Sequence, residues 1–381
     1  MELHRFSKIL DKGTGSLFAK SKKQLLINSG YNYSKMIKFR IIRNPTTRKN
    51  MSEKKRILSG IQPSGVLTIG HLTGALTNWN KMQKEFESFF MIADLHAITQ
   101  KQEPANLRSW TLDTAAMFLA CGIDPETSVM FTQSHVPAHA QLAWVMSSFT
   151  GMGEAERMTQ FKDKSKKKPD NVNVGLLSYP ILMACDILLY QADAVPVGDD
   201  QKQHLELTRN LAQRFNHHYS DTFVIPDPYI PEVGARIMSL QEPTAKMSKS
   251  DPNQNAVIFL TDDNDTIIRK IKRSVTDSGS EVNVGKGKEG IENLITLLSV
   301  STGKSAKEII VEYEGEGYGK FKSDVAEAVA SYIEPIREEF KRYREDKEML
   351  TNILKKGDEK ANKVAFKTLS KVYKKVGFLQ Y

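Results

Sequence analysis

The chain has 381 residues, 40% hydrophobic and 26% charged, which is long enough for two domains and a sizeable core. Two cysteines, Cys121 and Cys185, exclude a disulfide framework and a four-thiolate zinc site, and the longest apolar run, about Ile181 to Tyr190, is interrupted by Asp186 and falls short of a membrane span of roughly 20 residues. The formal charge of +9 is local: residues 1–50 hold 12 Lys and Arg against Glu2 and Asp11, while the rest holds 42 bases and 43 acids, so affinity for nucleic acid must come from patches rather than a global field.

Residues 1–50 show no sustained apolar period and are basic, acid-poor and Ser-containing. Two readings stand, a mitochondrial transit peptide or sequence ahead of a start at Met51, and under either the segment lies outside the fold. A cytoplasmic location is expected, or the mitochondrial matrix if the segment is a transit peptide. Ile57 and Leu58 open a strand that runs into the turn-rich stretch Ser59 to Gly65. A helix follows from about Gly70, with Leu72, Leu76, Trp79, Met82 and Phe86 at helical spacing. Phe89 to Ala93 reads as a strand, Trp110 to Ala120 as a helix and Val129 to Thr132 as a strand. This alternation predicts an α/β fold, a Rossmann-like doubly wound parallel sheet, over residues 55–260. The basic run Lys162 to Lys168 reads as a mobile loop.

After about Asn264 the texture turns to amphipathic helices, so residues 261–381 are expected to form a helical C-terminal domain. The last helix sets Lys360, Lys363, Lys367, Lys371 and Lys374 opposite Ala361, Ala365, Leu369, Val372 and Val376. That charged face is either simply solvated or turned towards RNA.

Two segments carry chemistry. Gln62-Pro63-Ser64-Gly65-Val66-Leu67-Thr68-Ile69-Gly70-His71 falls between a strand and a helix, where free N–H groups and a partial positive charge suit a nucleoside triphosphate. Gly70 permits close backbone approach and His71 can donate to phosphate oxygens. Lys246-Met247-Ser248-Lys249-Ser250-Asp251-Pro252 has two lysines spaced for a loop that closes on the same phosphates and neutralises the leaving pyrophosphate. Either could be a plain turn or a solvated loop; their conjunction is the stronger signal.

Thr68 to His71 resembles the HIGH signature and Lys246 to Ser250 the KMSKS signature of class I aminoacyl-tRNA synthetases. Gly60 to Gly65, Pro180 to Tyr190, Val197 to His204 and Gly234 to Leu240 resemble the bacterial tryptophanyl branch, and the similarity covers about Arg56 to Tyr381. One departure is Thr68, where the general signature has a histidine.

The resemblance implies activation of tryptophan with ATP and transfer to tRNA(Trp), with His71, Lys246 and Lys249 catalytic. It implies an ATP site from Gln62, Pro63, Ser64, Gly70, His71, Gly198, Asp199, Asp200, Ile237, Lys246, Met247, Ser248, Lys249 and Ser250, with Lys164 as a further phosphate contact. Asp200 and Gln203 also fit a capping box ahead of a helix. Asp186, in an apolar helix, must be paired; the resemblance assigns it to the indole N–H, a structural basic partner being the alternative. Tyr179, Met183, Gln201 and His96 are implied as the rest of the tryptophan pocket, while His135, His139, His217 and His218 read as ordinary. The implied ion is Mg²⁺ carried by ATP, without zinc, and the implied assembly is a homodimer with an anticodon-reading helical domain and no membrane association.

Overall fold

A computed structural model describes residues 54–167, 169–198, 201–230 and 235–380; the expectations for residues 1–50 lie outside them. Lys54–Tyr381 form one compact unit. Its centre is a five-stranded parallel sheet of β1 (Arg56–Ile61), β2 (Glu87–Ile92), β3 (Val129–Thr132), β4 (Ala194–Pro196) and β5 (Asp227–Tyr229), in the order β3-β2-β1-β4-β5. The register sets Ile57 opposite Ser88 and Phe89 opposite Val129.

Both sheet faces are covered, so its strands read as apolar runs rather than as strict alternation. Ile57, Phe90, Ile92 and Met130 enter one core cluster, and Leu58, Phe89, Met91 and Phe131 enter the other. The first cluster is closed by α1 (Thr77–Glu85) and α2 (Pro104–Ala120), with Trp79 stacked on Phe90 at 4.5 Å between centroids. Pro104 at the first turn starts α2 six residues before the expected Trp110, because a fixed φ is compatible with helix entry. The second cluster is closed by α3 (Ala138–Ser147), α4 (Thr159–Lys167), α5 (Val174–Leu189) and α6 (Lys202–His218).

The expected loop at Lys162 to Lys168 is instead helical through Lys167, in α4. Its lysines sit on a frame anchored by Phe161, which packs on the second core, and Lys164 Nζ lies 4.3 Å from the centre of the Tyr179 ring. Composition pointed to a loop; tertiary anchoring overrides it.

Beyond Asn264 come α7 (Asn264–Lys272), α8 (Glu289–Thr302), α9 (Tyr318–Glu345) and α10 (Lys347–Val376). Helix α10 belongs to both cores: Leu350 and Leu354 join the first, and Ala361, Ala365, Leu369 and Val372 the second. Where it crosses the edge strand, a Cβ on Gly357 would come within 1.7 Å of the Met130 carbonyl oxygen, so only glycine lets the two backbones meet. One residue on, Asp358 Oδ1 accepts from the Thr132 N–H at 2.7 Å. The five lysines of the opposite face are exposed. No helix among the described residues is long and apolar enough to cross a membrane.

Candidate active site

The strand order reverses direction between β1 and β4, and ligands of doubly wound sheets sit beyond the carboxyl ends of strands at such a point. The segment after β1 is Gln62 to His71 and the one after β4 is Val197-Gly198. From Thr68 the chain enters a turn, Ile69–His71, then a π-helical stretch, Leu72–Leu76, before α1. Such π turns mark functional positions more often than chance.

Thr68 closes this entry. Its hydroxyl lies 2.9 Å from His71 Nδ1 and its N–H donates to the same nitrogen at 3.2 Å. Nδ1 is therefore the acceptor, and the ring proton sits on Nε2, free for a ligand. Burial, with Lys249 and then Lys246 nearby, lowers the His71 pKa to about 3, so the imidazole is a neutral donor at any physiological pH. A Cβ at Gly70 would meet only Thr68 Oγ1, at an ordinary 3.5 Å, so nothing in the protein itself demands glycine there.

The second signature folds back on the first. Lys249 Nζ donates to the Gln62 carbonyl at 3.2 Å, 187 residues away in sequence, and burial lowers its pKa to about 8. Its loop is held by backbone pairing: Met247 N–H donates to Ile237 O at 3.1 Å, and Met238 bridges to Lys246. Further ties run from Ile69 N to Ile258 O at 3.0 Å and from Leu260 N to Leu67 O at 2.9 Å. Ile237 and Met247 bury their side chains in the first core, which roots an otherwise exposed loop.

The other end of the site is dry. Asp186 is 1% exposed, in the middle of α5. Oδ2 lies 2.7 Å from His96 Nε2; Oδ1 lies 2.6 Å from His139 Nδ1 and accepts from Gln133 Nε2 at 2.8 Å. Burial alone would raise its pKa, but His96 and His139 outweigh that and hold the carboxyl well below the usual range, so it is ionised. Beside it, Tyr179 bonds through its hydroxyl to His204 Nε2 at 3.0 Å, and its ring lies edge-on to His96.

A family model described as tRNA synthetases class I (W and Y) matches residues 49–334. The chain belongs to that family. The tryptophan–tRNA ligase of Clostridium tetani is 54% identical to this class I synthetase over 331 residues, 87% of this chain and 98% of that protein. That of Clostridium perfringens is 51% identical over 330 residues, 86% and 99%. Among solved structures, the Mycoplasma pneumoniae tryptophanyl-tRNA synthetase matches with a TM-score of 0.76 at 35% identity, covering 85% of this chain and 98% of that one. The Campylobacter jejuni tryptophanyl-tRNA synthetase complexed with ADP and tryptophan matches at 0.73 and 36%, covering 84% and 99%. These relatives place the synthetase in the bacterial tryptophanyl branch.

Of the residues singled out in its sequence, the synthetase brings Gln62, His71, Lys246 and Lys249 together at one end and His96, Tyr179 and Asp186 at the other. Pro63 is buried and Ser64 half-buried in the first loop, with Ser64 N–H donating to Gln62 O at 2.9 Å. Ser248 and Ser250 are exposed with hydroxyls 3.1 Å apart. Met183 is half-buried on α5, and Gln201 donates its N–H to Gly198 O at 3.0 Å. Asp199 and Asp200 lie outside the described residues. The capping box expected of Asp200 and Gln203 therefore also lies outside the described residues; Gln203 Oε1 accepts from the Thr159 N–H and hydroxyl, both at 2.8 Å, tying α6 to α4.

Two histidines read as ordinary are not. His139 is a partner of Asp186, and His135 Nδ1 lies 2.6 Å from Asp358 Oδ2. Tyr190 and His204 lie within the family-like stretches without being singled out there, and no sequence signal marks Gln133 or Asn293, whose amide takes Met238 N–H at 2.8 Å and donates to Met238 O at 2.9 Å. The one available signal was the buried Asp186 itself, which requires donors but does not say from where.

Proposed function

We propose that this site activates L-tryptophan with ATP and transfers it to tRNA(Trp). The observation that carries the reading is the Lys249–Gln62 contact, which makes one cationic cradle of two remote segments. The tryptophan carboxylate oxygen attacks the α-phosphorus of ATP, the bond to pyrophosphate breaks, and tryptophanyl-adenylate forms. The 2′-hydroxyl of the terminal adenosine then attacks the acyl carbon and AMP leaves. No covalent enzyme intermediate is needed.

His71 donates from Nε2 to charge building on the phosphates, and Lys246 and Lys249 neutralise the departing pyrophosphate. Mg²⁺ enters with the ATP phosphates, and the family resemblance carries Gly198, Asp199 and Asp200 to the adenosine. An ionised carboxylate offers about four lone-pair positions, of which protein donors take three at Asp186; the fourth receives the indole N–H. Tyr179, Met183, Gln201 and His96 line the remaining pocket.

Residues 261–381 serve the tRNA, with the exposed lysines of α10 meeting its backbone, and residues 55–260 do the chemistry. A homodimer and a cytoplasmic location complete the proposal. Pyrophosphate exchange into ATP, run with tryptophan and tyrosine side by side, tests the reading. Exchange with tryptophan far above tyrosine is expected; equal exchange, or none, refutes it.

A further inference from the structure

His139 is fully buried, and both of its ring nitrogens are engaged. Nδ1 faces Asp186 Oδ1 at 2.6 Å and Nε2 faces the Tyr190 hydroxyl at 2.9 Å. An ionised carboxylate only accepts, so Nδ1 carries the proton. In the neutral ring Nε2 is then an acceptor, and the Tyr190 O–H donates to it. Burial, with Asp186 nearby, pushes the Tyr190 phenol up, so this proton stays in place. The chain thus has one polarity, from Tyr190 through His139 to Asp186.

The geometry follows from the helix. Tyr190 is four residues after Asp186, on the same side one turn later, and His139 enters from α3 between them. Phe131 stacks over the His139 ring at 6.0 Å, and Phe89 and Phe131 flank Tyr190 at 4.8 and 5.2 Å, so aromatic walls enclose the buried pair. The consequence falls on Asp186. With Oδ1 filled twice, by His139 and Gln133, the carboxylate cannot turn about its own axis, and its open position is fixed on Oδ2.

We propose that His139 and Tyr190 are specificity-determining positioning residues: they lock the Asp186 carboxylate so that its one open lone pair receives a ring N–H. The inference rests on the reading that Asp186 meets the indole.

The test compares L-tryptophan with 3-(benzothiophen-3-yl)-L-alanine, in which sulfur replaces the N–H in a nearly identical ring system. The readout is the ratio of kcat/KM for the two amino acids in pyrophosphate exchange. His139→Asn should lower the ratio about tenfold through KM for tryptophan, with kcat and KM for ATP within about twofold of wild type. Tyr190→Phe keeps size and apolar contacts and only frees the imidazole, so it should lower the ratio about threefold and carries the test if His139→Asn does not fold. A residue that merely supports the core would weaken both amino acids alike and leave the ratio untouched; that result overturns the proposal. Asp186→Asn separates the two failures. If it lowers the ratio while Tyr190→Phe and His139→Asn do not, the positioning role is wrong; if it also leaves the ratio unchanged, Asp186 does not meet the indole.

Discussion

The two ends of the site are built on opposite terms. At the end proposed to hold the phosphates, Lys249 donates from a turn to a single backbone carbonyl, and His71, in the short helical segment after Thr68, keeps a proton on an uncommitted nitrogen. At the end proposed to hold the indole, Asp186 sits inside a helix with three donors on its two oxygens and aromatic walls around its partners. In the proposed reaction the first end holds unspent attraction for negative charge, which becomes useful only as charge moves. The second is settled before any ligand arrives, which suits recognition of a group that does not change.

The largest effect should follow from removing charge at the reactive end. Lys249→Ala should slow adenylate formation on the order of 10²- to 10³-fold while tryptophan binding stays nearly unchanged. Single-turnover measurements giving the wild-type rate would remove the contrast between the ends.

Next comes Asp186→Ala, which would leave the N–H of a bound indole buried without an acceptor at a cost of about 1–3 kcal/mol or more, so kcat/KM for tryptophan should fall roughly ten- to hundredfold or beyond. ATP affinity should hold, and the gap to phenylalanine should narrow. Asp186→Asn should be intermediate, because its amide oxygen can stay on the His96 side and keep the open lone pair there, while Gln133 turns its amide and the His139 ring shifts its proton to accept from the NH2 on the other side. Unfolding of both variants in thermal melts would mark Asp186 as structural only.

A smaller signal separates the ends by proton bookkeeping. Lys249, with a pKa of about 8, is partly neutral just above that pH, and bound phosphates favour its charged form and raise the value. ATP binding should therefore take up a proton above about pH 8, and ATP affinity should fall as pH rises through that window. Calorimetry in buffers of different ionisation heat should detect the uptake, and Lys249→Met should abolish it. Tryptophan binding should show none there, because Asp186 is ionised throughout the range.

The smallest expected effect is none. A chain started at Met51 should aminoacylate tRNA(Trp) as the full chain does, since β1 begins at Arg56; a large loss of turnover would tie residues 1–50 to one end or the other.

The same contrast explains what could be read from the sequence. The proposed phosphate end is written in contiguous letters, Thr68 to His71 and Lys246 to Ser250, because segments that bind phosphate act through backbone and charge in fixed local order. Strand β3 matched its expected span and β2 began two residues early, since apolar runs between turns report a covered parallel sheet. The indole end is assembled from positions 96, 133, 139, 186 and 190, contributed by the segments after β2 and β3 and by α3 and α5. No local period marks His139 as different from any other histidine near an apolar helix. The helix over the basic run escaped notice for a similar reason, because the contacts of Phe161 and Lys164 that order it come from outside the segment.

Helix α10 bears on how this protein must be made. The sheet ends at β3, a strand whose outer backbone groups would otherwise invite pairing with another chain, and it is Gly357 and Asp358, within the last 30 residues of described helix, that occupy this edge. During synthesis the sheet and every described helix before α10 emerge ahead of this guard. A message cut short, or a ribosome stalled before α10 is complete, would therefore release a nearly whole synthetase with an open β edge, a stickier product than a much shorter fragment.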